Sequence, residues 1–256
     1  MSELNLREAA LLALTLLDLT NLKEDCTEAD VKALCKRART PFGDVAAICI
    51  WPRFVAAAAA TLGDGSPIRI ATVVNFPSGE EPLADVLAQT ERAIADGADE
   101  IDLVMPYKTL MAGDEAACET VVKAVRGVCP DPVKLKVIIE SGELKDKALI
   151  RRASEIAIAA GADFIKTSTG KVAVNATLEA ADTMLHAIRD SGRKVGFKAA
   201  GGISTVNDAV FYLDLADTIR GPDWAIPSTF RFGASSLLDN ILAVLAGGHQ
   251  STSKGY

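Results

Sequence analysis

Short apolar runs bounded by Gly, Pro, Asp and Ser recur along the chain at residues 14–20, 45–50, 68–76, 100–105, 133–140, 164–167, 195–198 and 230–234. Each has the length of a strand. The intervals carry apolar residues at helical spacing, as at 83–96, 114–128, 144–160 and 178–191. Strand starts roughly 25 to 35 residues apart, with a helix in between, require parallel strands joined by right-handed crossovers. Eight such units predict the α/β class and a (β/α)8 TIM barrel rather than an open sheet. The apolar stretch at 9–17 follows Glu3 and Glu8, where a signal peptide needs positive charge, so it reads as an N-terminal helix. G-A-D tripeptides at Gly97 and Gly161 fit a repeated junction in which glycine caps a helix before the next strand. No Ser/Gly/Pro-rich linker divides the 256 residues, which are expected to form a single domain. Residues 247–256, G-G-H-Q-S-T-S-K-G-Y, read as a flexible polar tail.

Composition removes several functions. Lys+Arg 27 against Asp+Glu 34 leaves a net charge of −7, and the basic residues are scattered, so no nucleic-acid partner is expected. No apolar run approaches the roughly 20 residues that cross a bilayer, and no membrane association is expected. The richest run, 54–62, is mostly alanine. Cys26, Cys35, Cys49, Cys118 and Cys129 are odd in number and form no C-x-x-C pair, which fits reduced thiols and a cytoplasmic location. His186 and His249 are the only histidines, fewer than a zinc hydrolase or a metal-dependent aldolase would use, so no metal site is expected.

In a barrel the chemistry gathers at the C-terminal ends of the strands. Two lysines fall there: Lys166 ends the sixth run in F-I-K-T-S-T-G-K, and Lys198 ends the seventh in V-G-F-K-A-A-G-G. On adjacent strands about 4.8 Å apart, two inward amines would lie within about 5 Å. At an effective dielectric of about 20 their repulsion is roughly 3 kcal/mol, or about 2.5 pKa units, enough to leave one amine unprotonated near neutrality. An unprotonated amine can add to a carbonyl and form a Schiff base. Taken singly, either lysine reads as a side chain snorkelling to solvent. On the fourth run, Asp102 and Glu100 share parity and therefore a face. Asp102 fits an acid/base role through a water, and equally a structural ion pair with a barrel lysine such as Lys136. Glycine-bearing turns follow the last three runs, at 168–171, 200–205 and 232–236. Their coincidence points to a phosphorylated ligand held by backbone N–H groups and a helix N-terminus.

Taken in order, L-D-L-T (17–20), A-A-I-C-I-W-P-R-F (46–54), G-A-D-E-I-D (97–102), K-V-I-I-E-S-G-E-L (136–144), G-A-D-F-I-K-T-S-T-G-K (161–171) and R-F-G-A-S-S (231–236) resemble the class I deoxyribose-phosphate aldolases over nearly the whole chain. The resemblance implies reversible cleavage of 2-deoxy-D-ribose 5-phosphate to acetaldehyde and D-glyceraldehyde 3-phosphate in deoxynucleoside breakdown, without metal or organic cofactor. It also implies a homodimer. By position it makes Lys166 the Schiff-base lysine, Lys198 the neighbour that lowers its pKa, and Asp102 the acid/base residue. Asp18, Thr20 and Thr169 would line the substrate site, with Cys49 near it. Gly170, Lys171, Gly201, Gly202, Gly233, Ser235 and Ser236 would hold the phosphate. Tyr256, at the end of the tail, would assist proton transfer at C2.

Two positions depart from the family pattern: Ala199 stands in place of a proline, and Ser204 in place of an arginine near the phosphate loop. The pocket is therefore expected to rely on backbone N–H groups, Lys171 and the two serines. The alternatives are another lysine-dependent lyase of a different sugar phosphate, and a barrel that binds a phosphorylated ligand without chemistry.

Overall fold

The computed structural model describes residues 5–247. Eight strands close into a barrel: β1 (Leu17–Asn21), β2 (Ala47–Ile50), β3 (Arg69–Val74), β4 (Glu100–Val104), β5 (Lys134–Ile138), β6 (Phe164–Lys166), β7 (Gly196–Ala200) and β8 (Phe230–Ala234). Every neighbouring pair is parallel, and β8 returns to pair with β1 through Leu17↔Phe232. A helix follows each strand, from Glu28–Arg37 after β1 to Leu237–Leu245 after β8, and the helix Leu6–Thr15 precedes the barrel. The expected (β/α)8 architecture is the one observed.

The differences are local and physical. The run at 14–20 divides: Asn5 and Glu8 form a capping box that starts the helix Leu6–Thr15, which takes the first two residues of the run before the strand begins at Leu17. Because residues 9–17 are almost continuously apolar, hydrophobicity marks no boundary there. The helical pattern at 144–160 is interrupted. A short turn, Ser141–Leu144, ends at Lys145 with φ +61°, and Asp146 caps a new helix, Lys147–Ala159, by accepting from Leu149 N. β7 continues past the end of its apolar run to Ala200, so Lys198 sits in the middle of its strand rather than at its tip. A ribbon of Arg39–Thr40 against Gly43–Asp44 is too short to show alternation in sequence.

Side chains alternate between two environments along each strand. Leu17, Leu19, Ile48, Ile50, Ile101, Leu103, Leu135, Val137, Ile165, Phe197, Phe230 and Phe232 point outward and are fully buried beneath the helices. Edge-to-face ring contacts knit the β7–β8 side of this layer, Phe230 to Phe232 at 4.9 Å and Phe197 to Phe230 at 5.6 Å between centroids. The residues of opposite parity, Asp18, Cys49, Glu100, Asp102, Lys136, Lys166, Lys198 and Arg231, point into the lumen. Gly97 and Gly161 take φ of +105° and +103° at the helix-to-strand junctions, as the repeated tripeptide predicts.

Candidate active site

Strand register builds the centre of the site. Lys166 on β6 is the direct partner of Lys198 on β7, and Asp102 on β4 is the partner of Lys136 on β5. Asp102 reaches between the lysines: its Oδ2 accepts from Lys166 Nζ and from Lys198 Nζ, both at 2.8 Å, and its Oδ1 accepts from Lys136 Nζ at 2.7 Å. The ion pair with Lys136, foreseen as an alternative role for Asp102, exists alongside its bonds to the other two lysines. Asp18 Oδ2 accepts from Lys198 Nζ, while Asp18 Oδ1 accepts from Arg231 Nη1 at 2.6 Å. Arg231 also donates to both oxygens of Glu100, and Lys136 pairs with Glu100 Oε2 at 2.5 Å.

Packing makes room for this network. A Cβ at Gly233 would lie 3.0 Å from Lys198 Cε and 3.0 Å from Ala200 Cβ, so a glycine on β8 lets the Lys198 side chain cross the lumen.

The electrostatics differ from the expectation of two bare, mutually repelling amines. Burial by itself would push Lys198 towards its neutral form, but the carboxylates of Asp102 and Asp18 outweigh it and hold its pKa above the ordinary lysine value. Lys136 is raised in the same way, against its burial, by Asp102 and Glu100. Asp102 and Asp18 show the mirror image: burial favours their neutral form, yet the surrounding cations hold both below the usual carboxylate range. Strand spacing alone could not reveal this, because Asp102 reaches Lys166 from two strands away and Lys198 from three.

Above the network opens a cavity of about 560 Å³. Of the three lumen lysines, Lys166 lines it, while Lys136, Lys198, Asp102 and Asp18 lie beneath, fully buried. Thr20, Thr169, Gly170, Lys171, Gly201, Gly202, Gly233, Ser235 and Ser236 all line the same cavity, so the three glycine-bearing turns converge on it. Lys171 is tied across the mouth, donating to Leu22 O at 2.7 Å. Thr20 Oγ1 donates to Asp18 O at 2.9 Å, linking the wall to the network. Cys49 faces the lumen below the cavity; burial pushes its thiol up, although Lys198 pulls the other way. Tyr256 lies outside the described residues.

The two helices that open towards the glycine turns differ at their N-termini. Val206–Arg220 is closed by its own residues, Thr205 accepting from Asp208 N while Asp208 Oδ2 accepts from Ser204 N and Thr205 N. Leu237–Leu245 begins at Ser236, whose side chain makes no capping bond. Its end therefore lacks a side-chain cap; Asp239 in the first turn donates its N–H to Ser236 O at 3.2 Å and takes Arg37 on its carboxylate at 2.6 Å, which leaves the first two N–H groups and the positive dipole end as a setting that favours an anion.

Several site residues were not singled out from the sequence. Arg231 shares parity with Gly233 on β8, so its inward direction was readable once that glycine was placed. Glu140 ends the fifth run, by the same rule that selected Lys166. Its backbone takes φ +53°, and its carboxylate accepts from Thr169 N at 3.2 Å and from Thr169 Oγ1 at 2.5 Å. Burial raises its pKa, and the Thr169 bonds oppose that rise. Lys23, from the loop after β1, and Arg37, from the last turn of the helix Glu28–Arg37, bring two further cations to the cavity rim, Arg37 also donating to Asp239 Oδ1 at 2.6 Å. Among the described residues, no group of three or more His, Cys, Asp and Glu side chains is spaced to hold a metal ion.

A closed barrel with its ionisable groups gathered in the lumen, and an open polar cavity above them at the C-terminal ends of the strands, is the arrangement of a barrel enzyme. The chain belongs to the DeoC/LacD family of aldolases, whose family model matches residues 12–242. It is 69% identical over 251 residues to the deoxyribose-phosphate aldolase of Agrobacterium fabrum (strain C58), covering 98% of this chain and 97% of that one. Its fold overlies a crystal structure from Toxoplasma gondii ME49, provisionally named a deoxyribose-phosphate aldolase, with a TM-score of 0.86 at 25% identity over 95% of this chain and 96% of that chain. It also overlies the tetrameric deoxyribose phosphate aldolase of Aeropyrum pernix, with a TM-score of 0.74 at 23% identity over 95% and 98% of the two chains. No helix among the described residues is long and apolar enough to cross a membrane.

Proposed function

We propose that the chain cleaves 2-deoxy-D-ribose 5-phosphate reversibly into acetaldehyde and D-glyceraldehyde 3-phosphate through a Schiff base on Lys166. The observation that carries this reading is the position of Lys166, the lumen lysine at the cavity floor, with a carboxylate oxygen 2.8 Å below its amine. Family membership and the high identity to the Agrobacterium enzyme support the substrate.

The unprotonated Lys166 amine adds to C1 of the open-chain sugar, and loss of water from the carbinolamine leaves an iminium. The C3 hydroxyl then gives up its proton through a water to Asp102, which later returns it to C2, the C2–C3 bond breaks, and its electron pair moves into the iminium to form an enamine. D-glyceraldehyde 3-phosphate carries C3 to C5 away. Protonation of the enamine at C2 and addition of water release acetaldehyde and return the amine. Asp102, ionised and bonded to Lys136 and Lys198, takes and returns the protons of the Lys166 nitrogen; Lys198 and Asp18 hold it in place. The phosphate lies against the Ser235–Ser236 turn at the open helix N-terminus, with the Gly201–Gly202 and Gly170 turns and the Lys171, Lys23 and Arg37 cations around it. This set supplies charge where Ser204 stands in place of an arginine. The five unpaired, buried cysteines fit a reducing, cytoplasmic setting. A homodimer is the assembly the resemblance implies, and light scattering on the purified chain checks it.

Trapping with acetaldehyde and a hydride donor tests the core of the proposal. A two-carbon ethyl group on Lys166, together with cleavage of deoxyribose 5-phosphate, is the expected result. An adduct without cleavage of that sugar points to a lyase of another sugar phosphate, and no adduct leaves only ligand binding.

A further inference from the structure

Glu140 closes β5 in the left-handed region, at φ +53° and ψ +56°, a conformation that strains a residue bearing a Cβ and is kept where the surroundings impose it. The backbone on either side is pinned to the end of β6, Ile139 N donating to Lys166 O at 3.0 Å and Ser141 N to Thr167 O at 2.8 Å. The Glu140 side chain is fully buried and is not among the residues that line the cavity. Its carboxylate is spent on Thr169, which does line it. We propose that Glu140 is a positioning residue for the phosphate of the substrate: it holds the turn at 169–171 so that the Gly170 N–H and the Lys171 ammonium are left to the phosphate. The inference rests on the phosphate placement made above.

The hydrogen bonds of this turn run in one direction. Thr169 N donates to both carboxylate oxygens of Glu140, at 3.2 and 3.4 Å, and Thr169 Oγ1 donates to Oε2 at 2.5 Å. With its one proton committed to Glu140, the hydroxyl offers a lone pair inward and accepts from Lys171 N at 3.0 Å. The N–H groups of Thr169 and Lys171 are thus both taken by the turn itself. Gly170 N, at a φ of +81°, has no acceptor among the described residues. Gly170 lines the cavity, and nothing lies within 4 Å of where its Cβ would stand, so a ligand can come close to this peptide. Lys171 Nζ gives one proton to Leu22 O at 2.7 Å and keeps two for an anion.

The chain of bonds therefore runs from a buried carboxylate through one threonine to the backbone that carries both phosphate donors. It is fixed at its two ends, at the strained close of β5 and at Leu22 after β1. Glu140 also acts through space on Lys166. A change at position 140 consequently reaches the reacting amine as well as the turn. The two effects separate by substrate: a change at the amine bears on every sugar alike, whereas the position of the turn matters to a sugar that carries a phosphate.

The test divides kcat/KM for 2-deoxy-D-ribose 5-phosphate by kcat/KM for unphosphorylated 2-deoxy-D-ribose, a ratio in which effects on Lys166 cancel. Glu140→Gln keeps a carbonyl for Thr169 N but turns an NH2 group to the hydroxyl, and Glu140→Asp keeps the charge but withdraws it from Thr169 by one methylene. In both the ratio should fall about tenfold, through a higher KM for the phosphorylated sugar. Asp tolerates left-handed backbone, so Glu140→Asp decides alone should Glu140→Gln fail to fold. Adding Thr169→Val to Glu140→Gln should lower the ratio no further than the more damaging of the two single substitutions, because both cut the same chain of bonds. A role in packing alone would lower the amount of folded protein without moving the ratio; that outcome, or additive losses in the double variant, overturns the proposal. Ser235→Asp reports on the phosphate placement itself: a fall in its ratio beside unmoved Glu140 variants overturns this inference alone, and no fall in any variant overturns both.

Discussion

The two faces of the barrel strands carry opposite physics in one closed sheet. Outward, Leu17, Ile48, Ile101, Leu135, Ile165, Phe197 and Phe230 meet the helices in an apolar layer where shape and area decide stability. Inward, where a barrel is usually filled by branched apolar residues, this chain buries Asp18, Glu100, Asp102, Lys136, Lys166, Lys198 and Arg231. The outer layer contributes the free energy of folding, and the lumen uses part of it to keep charges out of water. A buried ion network is weak evidence for stability but good evidence for a controlled proton inventory. The two faces should therefore answer differently to substitution.

The largest effect is expected at the cavity floor. Lys166→Leu should lower turnover by about 10⁴-fold or more and abolish trapping. Asp102 keeps its bonds to Lys136 and Lys198 in this variant, so its thermal midpoint should stay close to that of the unaltered chain; calorimetry beside the assay checks both halves. A comparable rate in this variant would end the Schiff-base assignment.

The opposite dissociation is expected in the outer layer. Phe230→Ala leaves a cavity among Phe197, Phe232 and Trp224 and should cost about 3–5 kcal/mol, read from denaturant unfolding. Turnover per folded molecule should change little. A larger fall in turnover than in stability would mean that the two faces are coupled through the strand.

At the cavity mouth, Ser235→Asp places a carboxylate beside the open helix end and should raise KM for the phosphorylated sugar by roughly ten- to a hundredfold. Its KM for unphosphorylated deoxyribose should be nearly unchanged. Equal effects on both substrates would remove the phosphate from this turn.

A smaller and more graded signature lies in the pH dependence of stability. Asp18 and Asp102 are lowered in the folded chain, so their contribution is complete above the ordinary aspartate value of 3.8 and is lost as pH falls through their depressed values. Lys136 and Lys198 are raised, so theirs is complete below the ordinary lysine value of 10.5 and is lost as pH rises through their elevated values. Denaturation midpoints should be level between those limits and fall at both ends. Phe230→Ala should lower the whole curve in parallel, whereas Asp18→Asn should flatten its acid end. Least of all should happen at Cys49: its raised, fully buried thiol should react with iodoacetamide only at the rate of unfolding. Fast alkylation of the folded chain would show a more open lumen than the structure has.

How much of this was legible in the sequence varies by residue. The eight units, the strand parity that pairs Glu100 with Asp102, and the direct pairing of Lys166 with Lys198 all follow from local periodicity. The glycine turns, too, could be assigned to one end of the barrel from their place after successive strands. The start of β1 was hidden because residues 9–17 are apolar without interruption. Lys23 was hidden because it sits in a loop with no repeating pattern, and Arg37 because the periodicity of its helix does not show that the last turn reaches the cavity. Glu140 carried a usable signal, a charge closing an apolar run, and its left-handed backbone is what turns it towards Thr169.

The chain's order of apolar and polar positions determined that there would be a closed ring of parallel strands, and which amines would stand side by side on it, because hydrogen-bond register and alternation are near-neighbour properties. Only the tertiary structure decided who shares whose charge. Asp102 meets Lys198 and Glu100 meets Arg231 across a lumen that joins residues up to 131 positions apart. The strength of such pairs depends on burial and on angstrom distances, which no linear pattern encodes.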